Sequence, residues 1–176
     1  MIYDIISQGS DKMKLRKAKH SDLADIMTII NQAKAYFKSQ GINQWQDGYP
    51  NEISIVNDIQ QNESYVLEDN NDIVATVMIS ANGENNYNYI EGNWLTDGKY
   101  LVIHRIAIRD DQKGKGLAKI IFDQAIELFD LPSLRIDTHE DNKSMQRFLQ
   151  KYGFSYCGII YLENKDTRLA FEKIIR

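Results

Sequence analysis

The stretch from Tyr100 to Ala118 constrains the fold of this chain more than any other. Tyr100-Leu101-Val102-Ile103-His104-Arg105-Ile106-Ala107-Ile108 is a nearly unbroken β-branched and apolar run, the pattern of a strand covered on both faces. Arg109-Asp110-Asp111-Gln112 then reads as a charged turn, and Gly114 and Gly116 follow with one lysine between them. From Leu117 the spacing is helical. Leu117, Ile121, Ala125 and Leu128 form one stripe, with Ala118, Phe122, Ile126 and Phe129 beside it, and Lys119, Asp123, Glu127 and Asp130 are left for water. A buried strand that enters a helix through a glycine turn is an anion-binding device. The first N–H groups of the helix have no partner within it and sit at the positive end of its dipole. Glycine at 114 and 116 lets a phosphate approach that backbone without meeting a Cβ, and Lys113 and Lys115 add two cationic heads.

Spacing selects among phosphate ligands. A Walker loop needs Gly-Lys-Ser/Thr at its end, whereas Lys119 is followed by Ile120. A dinucleotide fingerprint needs a third small residue where Lys119 stands. Lys113-Gly114-Lys115-Gly116-Leu117-Ala118 resembles instead the Arg/Gln-x-x-Gly-x-Gly/Ala signature with which the GCN5-related N-acetyltransferase (GNAT) superfamily cradles the pyrophosphate of coenzyme A. Lysine replaces the usual Arg or Gln. A second segment, Asn142-x-x-Met145-x-x-Phe148-Leu149-x-x-Tyr152-Gly153-Phe154, is similar to that family's Asn-x-x-Ala-x-x-Leu-Tyr-x-x-x-Gly-Phe.

The 176 residues suffice for one domain with one substantial core. Residues 1–12 read as an extension and 13–176 as the domain. A net charge of −4 excludes the basic footprint of a general nucleic-acid binder. No apolar run reaches the length of a membrane span and no signal peptide is recognisable, so no membrane partner is expected. Cys157 is the sole cysteine, which forbids an intrachain disulfide and points to a reducing cytoplasm. In a strand it reads as a small buried hydrophobe. Three scattered histidines make no metal pattern.

Read in order, Met13 to Ala18 alternates as a first strand. Ser21 is an N-cap for a helix carrying Leu23, Ile26, Met27, Ile30, Ala33 and Phe37, which Gly41 closes. Ile53, Val56 and Ile59 mark a second helix. Residues 64–68 and 73–80 form a hairpin around Asp69-Asn70-Asn71-Asp72. Residues 82–99 are the least regular part. After the glycine turn and its helix come a strand at 134–138, parallel to the central one, a helix capped by Asn142, and two closing strands. The order β-α-α-β-β-β-α-β-α-β-β is that of the GNAT superfamily. The resemblance implies an α/β domain with a mixed sheet of about seven strands, about four helices, and parallel fourth and fifth strands that splay apart.

It further implies an acetyl-CoA-dependent N-acetyltransferase. Ile106, Ala107 and Ile108 would hold the pantetheine arm with backbone groups, a bulge there would aim an N–H at the thioester oxygen, and Lys113 to Ala118 with Asn142 would complete the cofactor site. The acceptor is a small-molecule amine or an exposed amino group, and the protein a monomer or homodimer. An alkylamine is mostly protonated at neutral pH, so transfer needs a base. His104, His139 and Glu91 are the candidates, and unbroken alternation puts His104 on the face of Ile106 and Ile108. Trp45, Asp47, Tyr49, Tyr89 and Trp94 come from the two segments that flank the acceptor cleft in such proteins, and aromatics beside carboxylates suit a cationic amine. Leu149 stands where many members place a tyrosine acid. A non-catalytic acetyl-CoA sensor is the competing reading.

Overall fold

The structure, a computed structural model, describes residues 13–176. The extension read at residues 1–12 lies outside the described residues. Eight strands make one mixed sheet: β1 (Lys14–Lys17), β2 (Ser64–Asp69), β3 (Asp72–Ser80), β4 (Glu91–Gly92), β5 (Tyr100–Ile108), β6 (Ser133–Thr138), β7 (Ser155–Tyr161) and β8 (Thr167–Ile174), in the order β1-β2-β3-β5-β6-β8-β7-β4. The four α-helices are α1 (Leu23–Ser39), α2 (Glu52–Gln60), α3 (Leu117–Phe129) and α4 (Lys143–Tyr152). Among the described residues only β5 and β6 pair in parallel.

The hairpin between β2 and β3 turns on Asn70 and Asn71, at φ +50° and +70°, the paired positive φ of the turn that matches strand twist. The strand beyond the expected seven lies in the segment read as irregular. Glu91 and Gly92 pair with Ile159 and Gly158 of β7. The chains touch there so closely that a Cβ on Gly158, at φ +145°, would lie 2.1 Å from the Glu91 carbonyl oxygen. Two smaller details differ from the sequence reading. Asp22, not Ser21, supports the entry to α1 by accepting the Lys19 N–H at 2.7 Å. In α2 the buried face is Ile55, Asp58 and Ile59, and Ile53 is exposed.

Helices α3 and α4 cover one face of the sheet. Phe122 is fully buried between them, with the rings of Phe148, Tyr152 and Phe154 edge-on at 5.1 to 5.9 Å, so the residues of the α4 motif serve packing first. Ile26, Ile29 and Ile30 of α1 join Ile55 and Ile59 of α2 in a second apolar cluster. A third, around Tyr87, Val102, Ile160 and Ala170, lies under the segment that precedes β5.

Two irregularities shape the centre of the sheet. β5 and β6 are in register only through Tyr100↔Ser133, Leu101↔Leu134 and Val102↔Arg135. Beyond Val102 they part, β5 staying with β3 and β6 with β8. In β5 the register against β3 jumps from Met78↔His104 to Thr76↔Ala107. Arg105 and Ile106 therefore share the space opposite Val77, and Arg105 has φ +51°, which together make a β-bulge. The extra residue reverses the alternation. Ile106 and Ile108 pack with the α3/α4 cluster, whereas Ala107 joins the α1/α2 cluster. The expectation that His104 shares a face with Ile106 and Ile108 therefore fails, because a single inserted residue flips every side chain after it.

Candidate active site

The glycine turn stands at the open end of the split. Gly114 and Gly116 have φ +78° and +79°, and a Cβ on either would meet nothing within 4 Å. Gly116 is the N-cap of α3 and brings no side-chain acceptor, so the first N–H groups of the helix open outward without a partner. Lys113 is engaged: its ammonium lies 2.5 Å from Asp110 and 4.4 Å from the centre of the Tyr36 ring on α1. Lys115 donates to Gln112 at 3.0 Å. The Arg109 N–H bonds the Val74 carbonyl, so by strand alternation Ala107 also turns its backbone to β3, and Ile106 and Ile108 turn theirs toward the split.

On the α1/α2 side of the sheet, against the bulge, lies a cavity of about 590 Å³, within the range of small-molecule sites. His104 is at its floor, its side chain 18% exposed. A carboxylate faces each ring nitrogen: Glu84 is 3.2 Å from Nε2 and Asp137 is 3.6 Å from Nδ1. The bond with His104 holds the Glu84 carboxyl below the usual carboxylate range, against the opposing pull of desolvation. Asp137 also accepts from the Tyr87 hydroxyl at 2.8 Å, and burial first, then Asp137, pushes that phenol well up, so it stays a donor. The wall carries five carboxylates, Asp47, Glu84, Asp137, Glu163 and Asp166, against the guanidiniums of Arg105 and Arg168. Arg105 is already neutralised by Asp58 of α2, so the cavity is negative.

The loop between α1 and α2 supplies Trp45, Asp47 and Tyr49 to this wall. Trp45 is anchored edge-on against Phe37 at 5.4 Å. The remaining residues singled out from the sequence lie elsewhere. Tyr89 is 64% exposed and sits beside Tyr161. Glu91 accepts from the Tyr161 hydroxyl at the sheet edge. Trp94 stacks over the Arg135 guanidinium at 4.3 Å, with Tyr100 on that cation at 3.9 Å. His139 turns its Nδ1 to the Asp141 N–H, in the turn before α4. Asn142 caps α4 by accepting from Met145 and also donates to Gln44 of the cavity wall.

Glu84, Asp137 and Arg105 were not among the residues expected from the sequence. Glu84 lies in the irregular segment, where nothing local says that the chain folds back over β5. Asp137 sits between the buried Ile136 and Thr138, where alternation assigns it to the opposite, wet face. Arg105 follows His104 in a strand pattern that carries no mark of a bulge.

Comparison with known proteins decides the family. Residues 27–154 match the model of the acetyltransferase (GNAT) family. The chain belongs to the GNAT family. A GNAT-family acetyltransferase from Streptococcus agalactiae is 36% identical, with a TM-score of 0.87 over 94% of this chain and 97% of that one. Two further solved structures share the fold at low identity. The acetyltransferase yncA of Salmonella typhimurium, solved with its cofactor acetyl-CoA, has a TM-score of 0.65 at 13% identity, covering 93% of this chain and 94% of its own. The ribosomal-protein-S18-alanine N-acetyltransferase of Escherichia coli has 0.63 at 12%, with the same coverage. No curated protein matches the chain.

Leu149 is fully buried. Tyr152, the nearest tyrosine, donates its hydroxyl to Asp123 of α3 at 2.6 Å. Burial first and that bond second push its phenol up. Cys157 is 7% exposed, and burial raises its thiol as well. Among the described residues no helix is long and apolar enough to cross a membrane, and no cluster of side chains could hold a metal.

Proposed function

We propose that this protein transfers an acetyl group from acetyl-CoA to the amino group of a cationic acceptor, either a small-molecule amine or an exposed amino group, with His104 as the base. The observation that carries the reading is the carboxylate-lined cavity whose floor, His104, lies beside the point where β5 and β6 part.

The cofactor fits what the chain presents. Gly114 and Gly116 turn at positive φ into open space beside the helix N–H groups that no side chain caps. Ile106 and Ile108 offer backbone groups inside the split. Lys113 to Ala118 would hold the pyrophosphate, the backbone of Ile106 and Ile108 the pantetheine arm, with Ala107 between them committed to β3, and Asn142 its far side. Bound acetyl-CoA supplies an activated thioester at the split. A backbone N–H turned there by the bulge is placed to stabilise negative charge on oxygen.

On the acceptor side, the negative wall draws in an ammonium and the faces of Trp45 and Tyr49 suit its alkyl chain. His104 removes the proton, and the ring that receives it has Glu84 at hydrogen-bond distance of Nε2 and the negative charge of Asp137 3.6 Å from Nδ1. No protein nucleophile is needed. With Leu149 buried and Tyr152 tied to Asp123, no tyrosine acid stands at the α4 motif. A thiol of ordinary pKa about 8.5 leaves without one.

A thiol-release screen with acetyl-CoA against diamines, polyamines, aminoglycosides, amino acids and peptides tests the proposal. Release with cationic amines is expected. Binding of acetyl-CoA with no release for any acceptor would instead support the sensor reading, which the missing tyrosine favours.

A further inference from the structure

The residue at which β5 leaves regular strand geometry is an arginine. At φ +51° Arg105 lies in the left-handed region, where a long side chain is held at a cost and persists only if its surroundings fix it. Those surroundings are specific. Asp58 of α2 meets the guanidinium in a fork, Nε to Oδ2 at 2.8 Å and Nη2 to Oδ1 at 2.6 Å, and the third nitrogen donates to the Tyr49 hydroxyl. The two charged side chains are 14% and 11% exposed, so removing either would leave the other charge largely out of water and uncompensated. A planar fork also fixes direction, which a lysine ammonium does not.

We propose that Arg105 and Asp58 are positioning residues: their ion pair is a latch that holds the β5 bulge, and with it the backbone of Ile106 and Ile108 turned into the split. Tyr49 of the α1–α2 loop braces the arginine at the same bulge by accepting from its third nitrogen. For its effect on turnover the latch rests on the acetyl-transfer reading; its effect on the backbone does not.

Two variants separate strain-holding from ordinary stabilisation. Asp58→Asn removes the partner and leaves an arginine in a strained conformation. Adding Arg105→Gly removes the strain as well, since glycine adopts positive φ freely, and leaves no unpaired charge. The latch predicts that Asp58→Asn speeds hydrogen exchange at the Ala107 and Arg109 amides, which face β3 just past the bulge. It also predicts that kcat falls about tenfold or more while the acceptor KM changes little. The double variant should regain most of both. A double variant as impaired as Asp58→Asn, or unchanged exchange in Asp58→Asn, overturns the latch. A rise in acceptor KM alone overturns it too, by making Arg105 a contact of the acceptor. If Asp58→Asn fails to fold and the double variant folds, the latch stands; if neither folds, the pair is merely structural. Should the wild type release no thiol with any acceptor, the exchange pattern still decides the latch, and only the acetyl-transfer reading falls.

Discussion

Glu84 and His104, twenty residues apart in the chain, meet at 3.2 Å over the bulge of β5. The contact exists because the segment after β3 folds back across the sheet, bringing Tyr87 under the same ring at 5.8 Å. The ring thus lies between two carboxylates, Glu84 at Nε2 and Asp137 at 3.6 Å from Nδ1, on the floor of the proposed acceptor cavity.

His104→Ala should therefore lower kcat by roughly 10²–10⁴-fold and flatten the acidic limb of the pH profile. Acetyl-CoA affinity should stay the same, because the groups that would hold the cofactor are backbone groups from Ile106 onward and not the His104 ring. Glu84→Gln keeps the shape and removes one charge, so its main effect should be a higher KM for cationic acceptors. Steady-state kinetics across pH check both. A rate loss in His104→Ala with an unaltered pH profile would reduce the ring to a packing role.

Tyr152→Phe deletes a hydroxyl that donates to Asp123 of α3, within the α3/α4 layer. Turnover should stay within a fewfold of wild type, and stability should fall by about 1–2 kcal/mol, the usual loss for a hydrogen bond to a charged partner. A drop in kcat of about a hundredfold in the folded variant would make Tyr152 the acid after all.

Much of this arrangement is legible in the chain itself. The strand, glycine turn and helix from Tyr100 to Phe129 follow from a change of hydrophobic period at two glycines, and the Asn70-Asn71 turn from its tolerance of positive φ. The second motif is found where expected because Phe122, Phe148 and Phe154 pack together. What local pattern does not contain is the tertiary partner. Asp58 looks like the wet side of α2 until a buried guanidinium meets it, and Glu91–Gly92 becomes a strand only because Gly158 lets β7 approach. The bulge at Arg105 is likewise decided by an ion pair with a residue 47 positions away.

Acid stability should report on the first strand. Arg16 donates to Asp22 at 2.8 and 3.2 Å and to Glu68 at 2.7 Å. The Asp22 carboxyl is held below its ordinary value by the Arg16 bonds first, with the Lys19 N–H adding to them. A depressed folded pKa contributes stability above the unfolded value of about 3.9 and loses it as pH falls through the lower folded value. Asp22→Asn should thus be less stable than wild type at neutral pH, by about 2 kcal/mol, and the gap should shrink as pH falls below the unfolded value of about 3.9. Denaturant unfolding of both proteins at neutral and acid pH checks the sign. A gap that widens in acid contradicts it.

The central claim, that acetyl-CoA is held at the turn before α3, is tested most directly by calorimetric titration of acetyl-CoA into wild type and Gly116→Asn. Asparagine tolerates positive φ and is a good N-cap, and no atom of the protein lies within 4 Å of the added Cβ, so the helix should remain intact. Its side chain would instead occupy the space left for the pyrophosphate. Affinity should weaken at least about tenfold, roughly 1.4 kcal/mol, in a variant that still unfolds cooperatively; equal affinity in the folded variant would contradict it.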